Sequence, residues 1–115
     1  MPLNTDSDTS ALNSDEHNSL EKLAQHAGEA TALLKELANE KRLMIFCCLG
    51  EGELSVGELN ALVPLSQSAL SQHLARMREA GFLNTRREAQ TIYYRVADAS
   101  VGKIIQTLKS IYCPD

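Results

Sequence analysis

Three cysteines, Cys47, Cys48 and Cys113, are the side chains of this chain best suited to covalent chemistry. As thiolates they can attack persulfides, disulfides and peroxides. They form no C-x-x-C pair and no secretory signal precedes them, so they are read as thiols of a reducing compartment rather than as a disulfide framework. Cys47 falls late in one helix-patterned segment and Cys113 at the end of another. The competing reading is that free cysteines are small buried hydrophobes. The residues alone do not separate the three cysteines on this point. Neither has a base partner evident in sequence, no Gly-rich phosphate loop is present and no paired carboxylates suggest acid–base work, so an enzyme is not expected. No cofactor is expected. His17 and His26 lack ligand partners at metal spacing and no histidine follows His73, so no metal site is expected either.

A second chemistry lies between residues 66 and 96. On a helical wheel with Leu70, Leu74 and Met77 on one side, Ser68, Gln72, Ala75, Arg76 and Glu79 point the other way, flanked by Gln67, Ser71 and His73. Such a face offers hydrogen-bonding groups with little bulk and suits close approach to base edges, although the same residues also make an ordinary exposed helix face. Arg86 and Arg87 follow in a hairpin-patterned segment and can neutralise phosphates or reach a minor groove. The net charge of −4 argues against a polyanion partner until its distribution is considered. Residues 1–19 contain Asp6, Asp8, Asp15 and Glu16 and no Lys or Arg, whereas residues 72–103 hold six basic against three acidic groups.

These groups need elements to hold them. Residues 1–18, rich in Ser, Asn and Asp, are read as a disordered acidic and polar leader, and 19–113 as one domain. The leader has no basic start or apolar run, and no membrane span is present, so a soluble cytoplasmic protein is expected. Leu20, Leu23, Ala27, Ala30, Leu34 and Leu37 form one helical stripe as far as Ala38. Asn39 caps a second helix with Leu43, Phe46 and Leu49 on one face and Gly50 at its end. Glu53-Leu54 can make a short strand. Ser55 and Glu58 form a capping box opening a short helix that Pro64 ends, and Ser66 caps a helix running to Ala80, about 21 Å long, with Gly81 past its end. A two-stranded hairpin with its tip near Arg87–Gln90 follows, then a helix capped by Asp98 with Val101, Ile104, Ile105, Leu108 and Ile111 on one face. The expected fold is mainly α with a small β-hairpin wing, a winged helix-turn-helix of order α-α-α-α-β-β-α.

The run LSVGELNALVPLSQSALSQHLARMREAGFLNTRREAQTIYYRV resembles the core of ArsR/SmtB-type repressors, the likeness covering about residues 20–113. That resemblance implies a homodimer whose helices at about 19–38 and 99–113 pack across a two-fold axis, reading palindromic double-stranded operator DNA with half-sites about one helical turn apart. It implies DNA contacts from Gln67, Ser68, Ser71, Gln72, His73 and Arg76 and from Arg86 and Arg87 on the wing. Metal-sensing members carry thiolates where this chain has Ser55 and Gly57, and glycine cannot ligate. FCCLGEGELSVGEL and IYCPD instead resemble the dithiol persulfide-sensing subgroup typified by HlyU, BigR, SqrR and YgaV. The implied function is a repressor whose operator affinity is switched when a low-molecular-weight persulfide or an oxidant modifies Cys47 and Cys113. The alternative is the same fold answering to a metal, small molecule or partner protein, with structural cysteines.

Overall fold

The computed structural model describes residues 13–114. Two compact units are distinguished, one ending at Lys35 and the other running from Glu36 onward. The first contains α1 (Ser14–Gln25) and most of α2 (Ala27–Leu37). The expected leader is corrected here, because α1 begins inside it. Asn13 accepts the Glu16 N–H at 2.7 Å, and Asp15 and Glu16 place negative charge on the first turn, where the helix dipole favours it. Residues 1–12 of the expected leader lie outside the described residues. The single stripe expected to Ala38 is also two helices. At His26 the N–H turns toward the Leu23 carbonyl at 3.0 Å as well as that of Lys22 at 3.3 Å, a tightened last turn, and Gly28 just beyond is a poor helix former.

In the second unit Asn39 caps α3 (Glu40–Leu49), accepting from the Lys41 and Arg42 N–H groups at 3.1 Å each. Ile45, Phe46 and Leu49 are buried while Leu43 is only half-buried. The expected stripe is thus rotated, because α3 packs against several elements and not one. Gly50, at φ +54, ends the helix in a conformation that residues with a Cβ rarely adopt. After β1 (Glu53–Ser55) comes α4 (Val56–Leu62), and the Ser55–Glu58 capping box forms as expected, with bonds of 3.2 and 2.9 Å. In the connection to α5 (Gln67–Glu79), Asn60 donates to the Leu65 carbonyl at 2.8 Å and Val63 is buried beside the exposed Pro64. Ser66 caps α5 by accepting the Ala69 N–H at 3.2 Å. Gly81, at φ +88, and the Phe82 N–H bonded to the Met77 carbonyl at 2.9 Å close that helix in a Schellman arrangement.

β2 (Leu83–Glu88) and β3 (Thr91–Val96) form the hairpin, and β1 adds to β3 on the other side, giving the antiparallel order β1-β3-β2. The hairpin turns at Ala89-Gln90, with Ala89 at φ +55. Asp98 caps α6 (Ala99–Tyr112), which buries Val101 and Ile105. These residues join Phe46, Leu59, Leu70, Leu74, Met77 and Leu83 in one apolar core, in which Phe46 and Phe82 meet edge to face at 6.4 Å. The fold is the expected winged helix-turn-helix, with β1 as a third strand. No helix among the described residues is long and apolar enough to cross a membrane.

Candidate nucleic-acid interface and dithiol site

The apolar side of α5 fixes the orientation of its polar side. Leu70, Leu74 and Met77 are fully buried, which leaves Gln67, Ser68, Ser71, Gln72 and Arg76 exposed together on the outer face. His73 lies half-buried at the edge of that face. The six side chains expected to read DNA are therefore on one element, five of them open to solvent. None of the helix's first-turn residues is acidic, so the N-terminal end of its dipole meets no carboxylate from that turn.

The two wing arginines occupy different environments. Strand alternation sends Arg86 and Arg87 to opposite faces of the sheet. Arg86 is held within the protein: its Nε donates to Glu53 at 3.0 and 3.2 Å, one terminal nitrogen donates again to Glu53 and the other to Glu88 at 2.7 Å. Its guanidinium also lies 4.6 Å from the centre of the Tyr93 ring. Hydrogen bonding from Arg86 holds the Glu53 carboxyl below its usual range, with the nearby Arg95 charge adding to the effect, and Arg86 itself is held more firmly protonated. Arg87 is exposed near the hairpin tip, paired in register with Ile92. Sequence reading did not anticipate the Glu53–Arg86–Glu88 clamp. Glu53 and Arg86 lie 33 residues apart in the chain, and only the β1-β3-β2 register brings them together.

The thiols occupy two helices in contact, α3 and α6. Cys47 and Cys48 are half-buried, Cys113 is exposed just past the end of α6, and all three are free. The Cys113 N–H donates to the Lys109 carbonyl at 2.7 Å. Burial pushes the Cys47 thiol up; Lys109 opposes this, while negative charge on Cys48 or Cys113 adds to it. For Cys48 burial again dominates and Lys109 opposes it, without a contribution from Cys113. Lys109, which the sequence reading did not single out, is the cation shared by Cys47 and Cys48.

The positions corresponding to a metal site are otherwise engaged. The Ser55 hydroxyl caps α4, and His17 and His26 each sit beside a glutamate on the same helix or the next turn, Glu21 at 3.5 Å and Glu29 at 3.3 Å. Among the described residues no group of three or more His, Cys, Asp or Glu is arranged to hold a metal ion.

Comparison with known proteins adds a context to this geometry. The family described as "Bacterial regulatory protein, arsR family" matches residues 39–85, which span α3 to the start of the wing. The chain is similar to the transcriptional activator HlyU of Vibrio cholerae, 49% identical over 94 residues that cover 82% of this chain and 87% of that protein. Among solved structures it resembles a transcriptional regulator HlyU from Vibrio vulnificus, at 52% identity and a TM-score of 0.77, covering 83% of this chain and 99% of the other. It also resembles the transcriptional repressor BigR from Xylella fastidiosa, at 41% identity and a TM-score of 0.76, covering 81% and 95%.

Proposed function

The chain belongs to the arsR family of bacterial regulatory proteins and is a transcriptional regulator, and from that premise we propose that it is a cytoplasmic homodimeric repressor released from its operator by reactive sulfur or an oxidant acting on Cys47 and Cys113. The observation that carries the reading is that α3, which holds Cys47, packs against α6, which ends at the exposed Cys113. α5 enters the major groove of a palindromic site, with Gln67, Ser68, Ser71, Gln72 and His73 at base edges and Arg76 at its outer end. On the wing, Arg87 meets phosphate and Arg86 shapes the strand that presents it.

The switch chemistry follows from exposure. The Cys113 thiolate, open to solvent, takes the outer sulfur of a persulfide R–S–SH; the S–S bond breaks and R–S⁻ leaves. The Cys47 thiolate then attacks the sulfur on Cys113 and expels hydrosulfide, closing a bridge between α3 and α6. A further transferred sulfur lengthens the bridge by one atom. Closing it changes the seating of α6, and in a dimer built on that helix this alters the spacing of the two recognition helices. The effect is allosteric only to the extent that reduced and bridged dimers differ in operator affinity.

Intact mass spectrometry of reduced protein treated with glutathione persulfide, run beside binding to an operator selected from a random-sequence pool, tests this reading. A Cys47–Cys113 bridge appearing together with DNA release is the expected result. Cysteines left unmodified, or release that persists when Cys113 is replaced by Ser, would overturn it. The half-burial of Cys47 and Cys48, with both thiols pushed up, favours the second reading, in which the cysteines pack α3 and another inducer acts. Release by that inducer in a Cys47→Ser, Cys113→Ser double variant distinguishes it.

A further inference from the structure

One face of the wing sheet concentrates charge around Arg86. In register Arg86 of β2 lies opposite Tyr93 of β3, and two residues further along β3 Arg95 lies opposite Glu53 of β1. Residues two apart on a strand share a face, so Arg86, Glu88, Tyr93, Arg95 and Glu53 are on one side of the sheet and Arg87 is on the other. Arg86 reaches diagonally over the Tyr93 ring, 4.6 Å from its centre, to meet Glu53.

The two edges of the Arg86 guanidinium are held unequally. Nε and one terminal nitrogen fork onto the Glu53 carboxylate, the two-bond geometry that makes arginine–carboxylate pairs strong. The other terminal nitrogen donates to Glu88 at 2.7 Å, and among the described residues Glu88 has no second cation. Glu53 is 33% exposed and also faces Arg95, whereas Glu88 is 67% exposed on the last residue of β2, beside the hairpin turn. An exposed pair of this kind contributes little to stability and exchanges readily. A phosphate oxygen accepts from the same N–H as a carboxylate oxygen does, so the exchange leaves the guanidinium satisfied.

We propose that Glu88 stands in for a DNA phosphate: in the free protein it occupies the outer edge of Arg86, and it yields that edge to a backbone phosphate when the wing docks, while Glu53 keeps the inner edge. The proposal rests on the reading of the wing as a DNA contact and makes Glu88 a residue that sets how tightly the wing binds. Arg86 exchanges one anion for another, so in the wild type it adds little to counterion release. Arg87, exposed and without a carboxylate partner among the described residues, adds its full charge. After the exchange the Glu88 carboxylate remains near the phosphates and opposes them, which weakens the sequence-independent share of binding.

The test measures binding of wild type, Glu88→Gln, Arg86→Ala and the double variant to a random-sequence duplex over a series of salt concentrations. Glutamine keeps the size of the side chain and removes its charge. Glu88→Gln should tighten binding by about two- to fivefold, the weight of one solvent-screened ion pair. It should also steepen log affinity against log salt by about 0.9, for one phosphate neutralised without an exchange. In the Arg86→Ala background the same substitution should change little, because no guanidinium is left to release. Carboxyl ¹³C signals of the wild type give a readout that leaves the clamp intact: on addition of DNA the Glu88 signal should move and the Glu53 signal should stay. An equal gain with and without Arg86 would overturn the proposal, since Glu88 would then act only by repelling DNA. No gain in either background, or a ¹³C shift at Glu53 and none at Glu88, would overturn it as well. Arg87→Ala separates this outcome from failure of the wing reading. If Arg87→Ala weakens binding while Glu88→Gln does not tighten it, the role of Glu88 alone falls; if both variants bind as the wild type does, the wing does not touch DNA and both readings fall.

Discussion

The reduced thiols differ in what protects them, and this fixes an order of reaction. Cys113 is exposed, whereas Cys47 and Cys48 are half-buried and held up by burial. With limiting iodoacetamide at neutral pH, peptide mapping should show Cys113 alkylated first. Modification of Cys47 should rise about tenfold per pH unit until its raised pKa is reached, since only the thiolate reacts. Equal labelling of all three at neutral pH would contradict the burial argument. The wing arginines divide in a similar way. Arg87→Ala should weaken DNA binding evenly across sequences and reduce the slope of log affinity against log salt by about 0.9 for each phosphate it ceases to neutralise. Arg86→Ala should change that slope less and instead loosen the pairing of β1 with β3, visible as faster amide exchange at Leu54 and Tyr94. Because Arg86 depresses the Glu53 pKa, the clamp contributes at any pH above the ordinary carboxylate range and is lost as pH falls through the lowered Glu53 value, so wild-type exchange at these amides should rise on that acid side.

At the scale of elements, what was legible in the sequence was local. The caps at Asn39, Ser55, Ser66 and Asp98 and the glycine stops at Gly50 and Gly81 depend on residues within a turn of one another, and each forms as its neighbours dictate. The apolar and polar sides of α5 were legible for the same reason, the helical period alone separating Leu70 from Gln72. The features that escaped were either masked or non-local. Asn13 sits in a polar run that hides its capping role, the break at His26 interrupts a stripe of unbroken periodicity, and Ile45 is buried because of what packs on α3, not because of its own helix. The Glu53–Arg86 clamp and the approach of Lys109 to the thiols both require register or packing between distant segments. Two substitutions test the local devices. Ser66→Ala removes the acceptor that orders the first turn of α5 and should lower stability by about 0.5–2 kcal/mol in urea unfolding, with the slope unchanged. Ala89→Gly should raise stability slightly, because a residue with a Cβ is disfavoured at a positive φ by about 1–2 kcal/mol and glycine is not, although glycine's freer unfolded chain offsets part of that gain. A fall in stability for Ala89→Gly would mean that the turn is not strained by its Cβ.

On the scale of the whole molecule, the charge and the apolar surface both bear on assembly. A net charge of −4 repels DNA, so on the proposed function binding would rest on contacts concentrated on α5 and the wing and presented twice by a dimer. The surface provides a reason for pairing: Leu20, Leu23 and Leu34 on α1 and α2 are 52%, 60% and 56% exposed, and Ile111 and Tyr112 at the end of α6 are 59% and 78% exposed. Large apolar side chains at this exposure on terminal helices mark association surfaces, and stable association requires burial of about 1,200 Å² or more in total. If two copies pair through these helices, each dimer offers two recognition helices to a palindrome, and the second half-site is bound without a second loss of translational freedom. Leu34→Glu is the informative substitution, because it places a charge on the exposed face without touching the buried core of the second unit. Sedimentation equilibrium should show wild-type dimer and variant monomer at micromolar concentration, and operator affinity should fall by about two orders of magnitude as avidity is lost. Weak salt-sensitive binding to random DNA should fall less, since each monomer keeps its own α5 and wing. A Leu34→Glu protein that remained dimeric would place the interface elsewhere, and a monomer that kept full operator affinity would show that one recognition helix is enough.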